Sequence, residues 1–245
     1  MLVDFIIAGT QKGGTTALHE YLGGHPDIYM PKKKELHFFD SESHSFDYGN
    51  TDYTYYHSNF VKIKNHIKLG EATPIYMYWY TAPERMWHYN KDLRIILTLR
   101  NPIDRAYSHW NMEVKRGYES KSFSEAIRTE SNRCREKLPF QHRIYSYIDR
   151  GYYSEQIKRL LFFFKQEQIL ALKSDDLIRN PNMQIRNVCK FISVSQMDNI
   201  TLKTAHAREY SALMSKNDRE YLSNIYKHEI RTLEDMLGWD CSEWL

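Results

Sequence analysis

Long apolar runs are missing from this sequence. The longest candidate, Leu160 to Phe164, is far short of the roughly 18 residues that a membrane-spanning helix needs, so no membrane association is expected. Cysteine is scarce as well. Cys134, Cys189 and Cys241 are widely spaced and odd in number, which argues against a disulfide framework or a zinc site and for reduced thiols. A large charge of one sign is also lacking: the formal net charge is +3 over 245 residues, which argues against bulk nucleic-acid binding but leaves room for a local basic site. The eleven histidines show no metal-ligand spacing, His37 and His44 coming nearest, and no metal is expected. The chain runs directly into strand-like residues without a signal-peptide pattern, which leads us to expect a cytoplasmic protein. Repeats, low-complexity segments and interdomain linkers are absent.

What is present is the composition of a soluble α/β protein, 42% hydrophobic and 27% charged, with 19 tyrosines. Its length suits a single domain over 1–245, with a central parallel β-sheet flanked by helices. The chain is organised around the stretch from Asp4 to Leu18. Phe5, Ile6, Ile7 and Ala8 make a short apolar run of the kind a buried parallel strand carries. Gly9 ends it, Gly13 and Gly14 permit a tight turn, and Thr15 or Thr16 starts a helix continued by Ala17, Leu18, Tyr21 and Leu22. A strand, a glycine turn and a helix N-terminus aim several N–H groups and the positive end of a dipole at one point, and Lys12 adds a full charge. This is a P-loop-like phosphate- or sulfate-cradling loop. It is not a Walker A loop, because Lys12 precedes the glycine pair instead of following it. The bare pattern also fits an ordinary strand–turn–helix corner with a surface lysine.

Further along, Lys32, Lys33 and Lys34 lead into Glu35-Leu36-His37-Phe38-Phe39-Asp40. If this stretch is extended, Glu35, His37 and Phe39 share one face, offering a carboxylate and an imidazole as candidate general bases; a solvated lysine run before an edge strand is the plainer alternative. A helix is expected within residues 47–65, a short strand at Ile67 to Leu69, and an aromatic helical stretch from Ile75 to Tyr89 that Pro83 splits and that packs in the core. Ile95 to Leu99 has the composition of a central strand. Arg100 stands at its C-terminal end, where open α/β sheets place ligands, and Pro102 starts a helix that carries Ser108 about two turns in. A guanidinium near a hydroxyl suits a phosphate monoester, while pairing of Arg100 with Asp104 at the helix start is the alternative. Helices are predicted over 123–134, 140–150, 153–164, 181–192 and 215–237, a strand over 168–173, and no clear periodicity over 195–213.

Taken in order, Gln11-Lys12-Gly13-Gly14-Thr15-Thr16, Glu35-Leu36-His37-Phe38-Phe39-Asp40, Leu99-Arg100-Asn101-Pro102 with Ser108, and Arg150-Gly151-Tyr152-Tyr153 resemble the 3′-phosphoadenosine 5′-phosphosulfate (PAPS)-dependent sulfotransferases. Within them the pattern is similar to bacterial relatives of the heparan sulfate N- and 3-O-sulfotransferases. The resemblance implies that Lys12, Gly13, Gly14, Thr15 and Thr16 hold the 5′-phosphosulfate, and that Arg100 and Ser108 hold the 3′-phosphate. Tyr153 and Arg208 are further donor contacts. It also implies Glu35 as catalytic base, with His37 as second choice, Lys12 stabilising the leaving phosphate, and no metal. The acceptor would be a hydroxyl or amine of a glycan or small natural product, and the three lysines favour an anionic one. Two departures bear on the acceptor: Ala72-Thr73-Pro74 stands where the heparan branch has a lysine before Thr-Pro, and Thr16 where it often has a longer residue. The competing expectations are a P-loop-type small-molecule kinase, which needs a Gly-Lys-Thr order and a magnesium-binding Asp, and a non-catalytic nucleotide-binding module.

Overall fold

The computed structural model describes residues 2–60, 68–196 and 213–245. In chain order the elements are β1 (Phe5–Gly9), α1 (Thr15–Gly23), β2 (Ile28–Tyr29), α2 (Thr54–His57), β3 (Lys68–Ala72), α3 (Ala82–Tyr89) and β4 (Arg94–Leu99). They continue with α4 (Pro102–Lys115), α5 (Phe123–Arg135), a 3-10 turn at Asp149–Gly151, α6 (Tyr153–Phe163), β5 (Ile169–Lys173), α7 (Ser174–Arg179), α8 (Pro181–Ile192) and α9 (Lys216–Leu237). Two compact units emerge, one drawn from Met1–Leu99 and Arg159–Ala205, the other from Arg100–Lys158 and His206–Leu245. Among the described residues no helix is long and apolar enough to cross a membrane.

The first unit is a five-stranded sheet in the order β2-β3-β1-β4-β5, and every pairing is parallel. The sequence dictates its centre. All five residues of β1 are buried, so the strand has to lie between two neighbours and under helices on both faces. β3 and β4 flank it, with Ile7 opposite Ala72 on one side and Ile96 on the other. Chain progression changes direction across the sheet at β1, and in open parallel sheets the C-terminal ends at such a switch point are where ligands bind. Helix α1 covers one face through Leu18 and Leu22, spaced to share one stripe and both fully buried with Ile28, Ile185, Val188 and Ile192 in the same core cluster. Each such aliphatic side chain contributes about 1.5–3 kcal/mol relative to exposure.

The second unit is helical. Helix α4 starts where the sequence demands: Pro102 occupies the first turn and the Asn101 side chain accepts from the Ile103 N–H at 2.9 Å. Ser122 and Glu125 close a capping box on α5, and Gly238 ends α9 in the left-handed conformation.

Three expectations need correction. Residues 140–150 do not form a helix. Their backbone is captured by side chains: Glu130 accepts from the N–H groups of Ile148 and Asp149 at 2.6 and 2.8 Å, and Arg150 donates to Ser146 Oγ and the Arg143 carbonyl. Pro83 does not split a helix from Ile75 to Tyr89; residues 74–81 are a series of turns and Pro83 lies in the first turn of α3. The segment around Glu35 is not extended, as described below.

Candidate active site

The glycine loop follows β1. It is anchored over the end of β4: the Thr10 N–H donates to the Thr98 carbonyl at 2.9 Å and Thr98 Oγ1 donates to the Gly9 carbonyl at 3.2 Å. Lys12 adopts a left-handed φ of 72°, and the Gly13 N–H returns to the Thr10 carbonyl at 2.9 Å, closing the turn. A Cβ on Gly13 would lie 2.2 Å from the Thr98 carbonyl oxygen, so only glycine lets the loop descend this far onto the strand. Gly14, at φ 95°, is the N-cap of α1 and contributes no side-chain cap. The first-turn N–H groups of α1 thus lack a side-chain acceptor from the cap, in a geometry suited to an anion.

A second group of side chains stands on the loop after β2. The Glu35 N–H donates to the carbonyl of Ala72, the last residue of β3, at 3.0 Å. Glu35 and His37 both take left-handed φ values, 63° and 54°. The alternation expected of an extended strand is therefore absent, and the two side chains meet through a bend instead. Lys34 Nζ donates to Glu35 Oε1 at 3.0 Å and to Thr15 Oγ1, on the first residue of α1, at 3.3 Å. On the other side, Glu35 Oε2 lies 3.6 Å from His37 Nε2, an ion contact longer than a hydrogen bond. His37 Nδ1 lies 3.0 Å from Oδ2 of Asp40, which is fully buried. The result is an alternating series of ammonium, carboxylate, imidazole and carboxylate.

This alternation sets the protonation states. Two flanking carboxylates, Asp40 first and Glu35 second, push the His37 pKa up to about 9 despite partial burial. His37 is then an imidazolium at neutral pH. The imidazolium of His37 foremost, together with Lys34, holds the Glu35 carboxyl down at about 2. The signs give a stability prediction. His37 is raised above its unfolded value of 6.5, so its contribution is complete below that pH and is lost as pH rises through about 9. Urea unfolding of wild type and His37→Gln will differ most near pH 6, and the difference will shrink by pH 10.

The loop carrying Glu35 is held from behind. Tyr76 Oη accepts from the Phe38 and Phe39 N–H groups at 3.0 and 3.4 Å. Arg85, itself 7% exposed, donates to the carbonyls of Phe39 and Ser41 and pairs with Glu42 at 2.8 Å. Beneath lies Glu71, fully buried, receiving Thr73 Oγ1 at 3.3 Å, its pKa pushed up to about 8 by desolvation. Most of the aromatic stretch is core: Tyr76, Met77, Tyr78, Trp79 and Tyr89 are buried, while Trp87 is half-buried and Tyr80 exposed.

In the second unit, Arg100 immediately follows β4 in the chain. Its carbonyl accepts from the hydroxyl of Tyr153, which is fully buried, so Tyr153 braces Arg100 from within the fold. Ser108 is 6% exposed on α4. The Arg150-Gly151-Tyr152-Tyr153 run is fixed by several buried partners. The Ser154 N–H and Oγ both donate to Glu229 at 2.7 Å, Tyr226 Oη donates to the Ile148 carbonyl at 2.7 Å, and a Cβ on Gly151 would strike Tyr226 Oη at 2.3 Å. Arg208 lies outside the described residues.

The structure therefore brings Thr15 and Glu35 together through Lys34, and Glu35 next to His37. It gives new parts to Lys34, which the sequence offered only as one of three lysines suited to an anionic acceptor, and to Asp40 and Tyr76. The spacing of His37 and Asp40, three apart in a bend, was the available signal for Asp40. Lys34 had none, because the sequence distinguishes it in no way from Lys32 and Lys33. The position before Thr-Pro is indeed Ala72, yet a cation does stand on Glu35.

A family model described as the sulfotransferase domain matches residues 2–234, running through both units. Human heparan sulfate glucosamine 3-O-sulfotransferase 5 is 28% identical over 193 residues, which cover 77% of this chain and 53% of that protein. The chain spans about half the length of such curated relatives. A sulfotransferase from Alicyclobacillus acidocaldarius superposes with a TM-score of 0.85 at 30% identity, covering 100% of this chain and 99% of that one. Mouse sulfotransferase SULT7A1, solved in complex with PAP, superposes with a TM-score of 0.60 at 10% identity over 94% of this chain and 85% of that one, a likeness of fold alone.

Proposed function

The chain belongs to the sulfotransferase domain family, and from that premise we propose that it transfers a sulfuryl group from PAPS to a hydroxyl or amine of a glycan or small-molecule acceptor, residues 1–245 acting as one domain. The observation that carries the reading is the alternation of Lys34, Glu35, His37 and Asp40 beside the anion loop. A donor of this kind supplies an activated sulfur and an anionic phosphate leaving group. The loop fits such an anion: Gly13 is packed so closely that no side chain fills the turn, and the Lys34 ammonium meets the positive end of α1 at Thr15.

The chain's residues then have distinct tasks. Glu35 accepts the acceptor proton as the acceptor's oxygen or nitrogen forms its bond to sulfur. The bond from sulfur to the bridging oxygen breaks, and its electron pair stays on the phosphate, where Lys12 and the loop N–H groups stabilise it. Glu35 is a feeble base while His37 and Lys34 both face it. An anion in the loop draws on the same cations, so its basicity rises when the loop is occupied. His37, protonated and tied to Asp40, orients Glu35. Arg100 and Ser108 grip the 3′-phosphate, with Arg100 braced by Tyr153, and Arg208 adds charge. Lys32 and Lys33, both exposed, suit an anionic acceptor.

The test is calorimetric binding of 3′-phosphoadenosine 5′-phosphate (PAP), with adenosine diphosphate and ATP plus Mg²⁺ as controls. Metal-independent binding of the 3′-phosphorylated nucleotide is expected, weakened on the order of tenfold or more in Arg100→Ala, as loss of a charged hydrogen-bonding partner gives. A preference for ATP with Mg²⁺ would overturn the reading and favour a kinase.

A further inference from the structure

Lys34 differs from its two neighbours in the lysine run. Lys32 and Lys33 are exposed, whereas the Lys34 side chain is 19% exposed and turned inward. Its ammonium reaches 19 residues back along the chain to Thr15 Oγ1 while also holding Glu35 Oε1 on the next residue. Side chains of adjacent residues in extended backbone point to opposite faces. Here the left-handed φ of 63° at Glu35 puts the pair on one side. A non-glycine residue in that conformation is unfavourable unless the surroundings impose it, and such outliers collect at functional positions. The surroundings do impose it, through the Glu35 N–H bond to Ala72 and the Lys34 bridge.

The placement of the charge is informative too. The N-terminus of α1 is the positive end of its dipole, so an ammonium on its first residue is electrostatically misplaced for the helix alone. Its placement is favourable when a carboxylate lies on one side of it and an anionic ligand on the other. Thr15 is 4% exposed and fixed in the helix, so the bridge ties the loop carrying Glu35 to the rigid element that bounds the anion loop.

We propose that Lys34 is the positioning residue of the general base: its ammonium sets Glu35 against the first turn of α1 and keeps it ionised. This rests on the reading of Glu35 as base. The charged groups facing Glu35 are Lys34 and His37, with Asp40 behind His37. From α1, His19 lies within electrostatic reach of Lys34, its own pKa lowered by burial first and by Lys34 second among the lowering causes.

The test measures the ionisation of Glu35 itself. The full chain carries ¹³C-labelled glutamate, and the Glu35 carboxyl resonance, assigned with Glu35→Gln, is followed from pH 1 to 7 in wild type, Lys34→Met and Lys34→Arg. PAP binding is measured on the same samples. In Lys34→Met the Glu35 midpoint is expected to rise by ~1–2 pH units, the usual effect of losing an adjacent opposite charge. In Lys34→Arg, which keeps the charge, it stays near the wild-type value. An unchanged midpoint in Lys34→Met overturns the inference, as does a rise of equal size in Lys34→Arg, which would mark a packing effect. Should Lys34→Met not fold, Lys34→Gln replaces it in the same comparison. Failure of wild type to bind PAP while the Lys34→Met shift is present would remove the donor assignment and leave the Lys34–Glu35 coupling standing.

Discussion

Glu35→Gln is expected to lower sulfuryl transfer by ~10²–10⁴-fold, the usual range for removing a positioned general base, while PAP still binds. Glutamine keeps the shape and still accepts from Lys34 on its amide oxygen, but it cannot take a proton. Transfer of ³⁵S from labelled PAPS, to whichever glycan or phenolic acceptor supports wild-type turnover, measures the loss. The pH profile adds a second signature. His37 owes its elevated pKa to Asp40 and, after it, to Glu35, so neutralising residue 35 lowers the His37 midpoint from about 9 towards its ordinary value without reaching it. A Glu35→Gln enzyme with undiminished turnover would move the role of base to His37 or remove it altogether. His37→Gln, in contrast, is expected to weaken kcat less than Glu35→Gln, because it removes an orienting imidazolium and leaves the proton acceptor in place.

Gly13→Ala is expected to abolish detectable PAP binding and to lower stability by about 1–3 kcal/mol, the range for forcing extra atoms into a packed site. The added methyl meets the Thr98 carbonyl at 2.2 Å, a backbone atom near the end of an interior strand that has no alternative rotamer. The loop has to lift off β4, and the bonds Thr10 makes there are the first to go. Gly14→Ala makes the informative control. It demands an unfavourable left-handed φ, 95°, of a residue with a Cβ, yet its nearest neighbours would be at 3.5 Å or beyond. Thermal unfolding and PAP calorimetry on the pair separate conformational cost from collision: both variants lose stability, and only Gly13→Ala loses the nucleotide. Retention of PAP by Gly13→Ala would dissociate the glycine turn from donor binding.

How far the chain could be read in advance depended on whether a feature was local. β1, β4 and β5 are runs of apolar residues with no competing period, and they lie within a residue or two of where composition put them. The helix starting at Pro102 and the one ending at Gly238 carry their own punctuation. Residues 140–150 have helical composition, but Glu130 and Arg150 supply partners that a helix would otherwise have provided, and this competition is tertiary. The site shows the same division. Gly13, Gly14 and Lys12 were legible because a glycine turn before a helix has one local solution. Glu35 and His37 were legible as residue types and not as geometry, since neither positive φ is written in a Glu-Leu-His tripeptide. The bridge made by Lys34 was illegible because its direction depends on Thr15, which only the folded chain brings near.

The anchoring of the loop that carries Glu35 has an evolutionary side. Tyr76 and Arg85 grip residues 38–42 from the far side, and the grip is on main-chain N–H and carbonyl groups and on Glu42. None of it passes through Lys32 or Lys33, which face solvent. The stretch is thereby partitioned into a portion held constant by its surroundings and a portion open to exchange. On the reading proposed above, descendants of this protein can alter the exposed lysines, and with them the acceptors drawn in, while the Glu35 carboxylate keeps its place. That reading makes acceptor range and chemical competence separate heritable traits, a few residues apart on one loop.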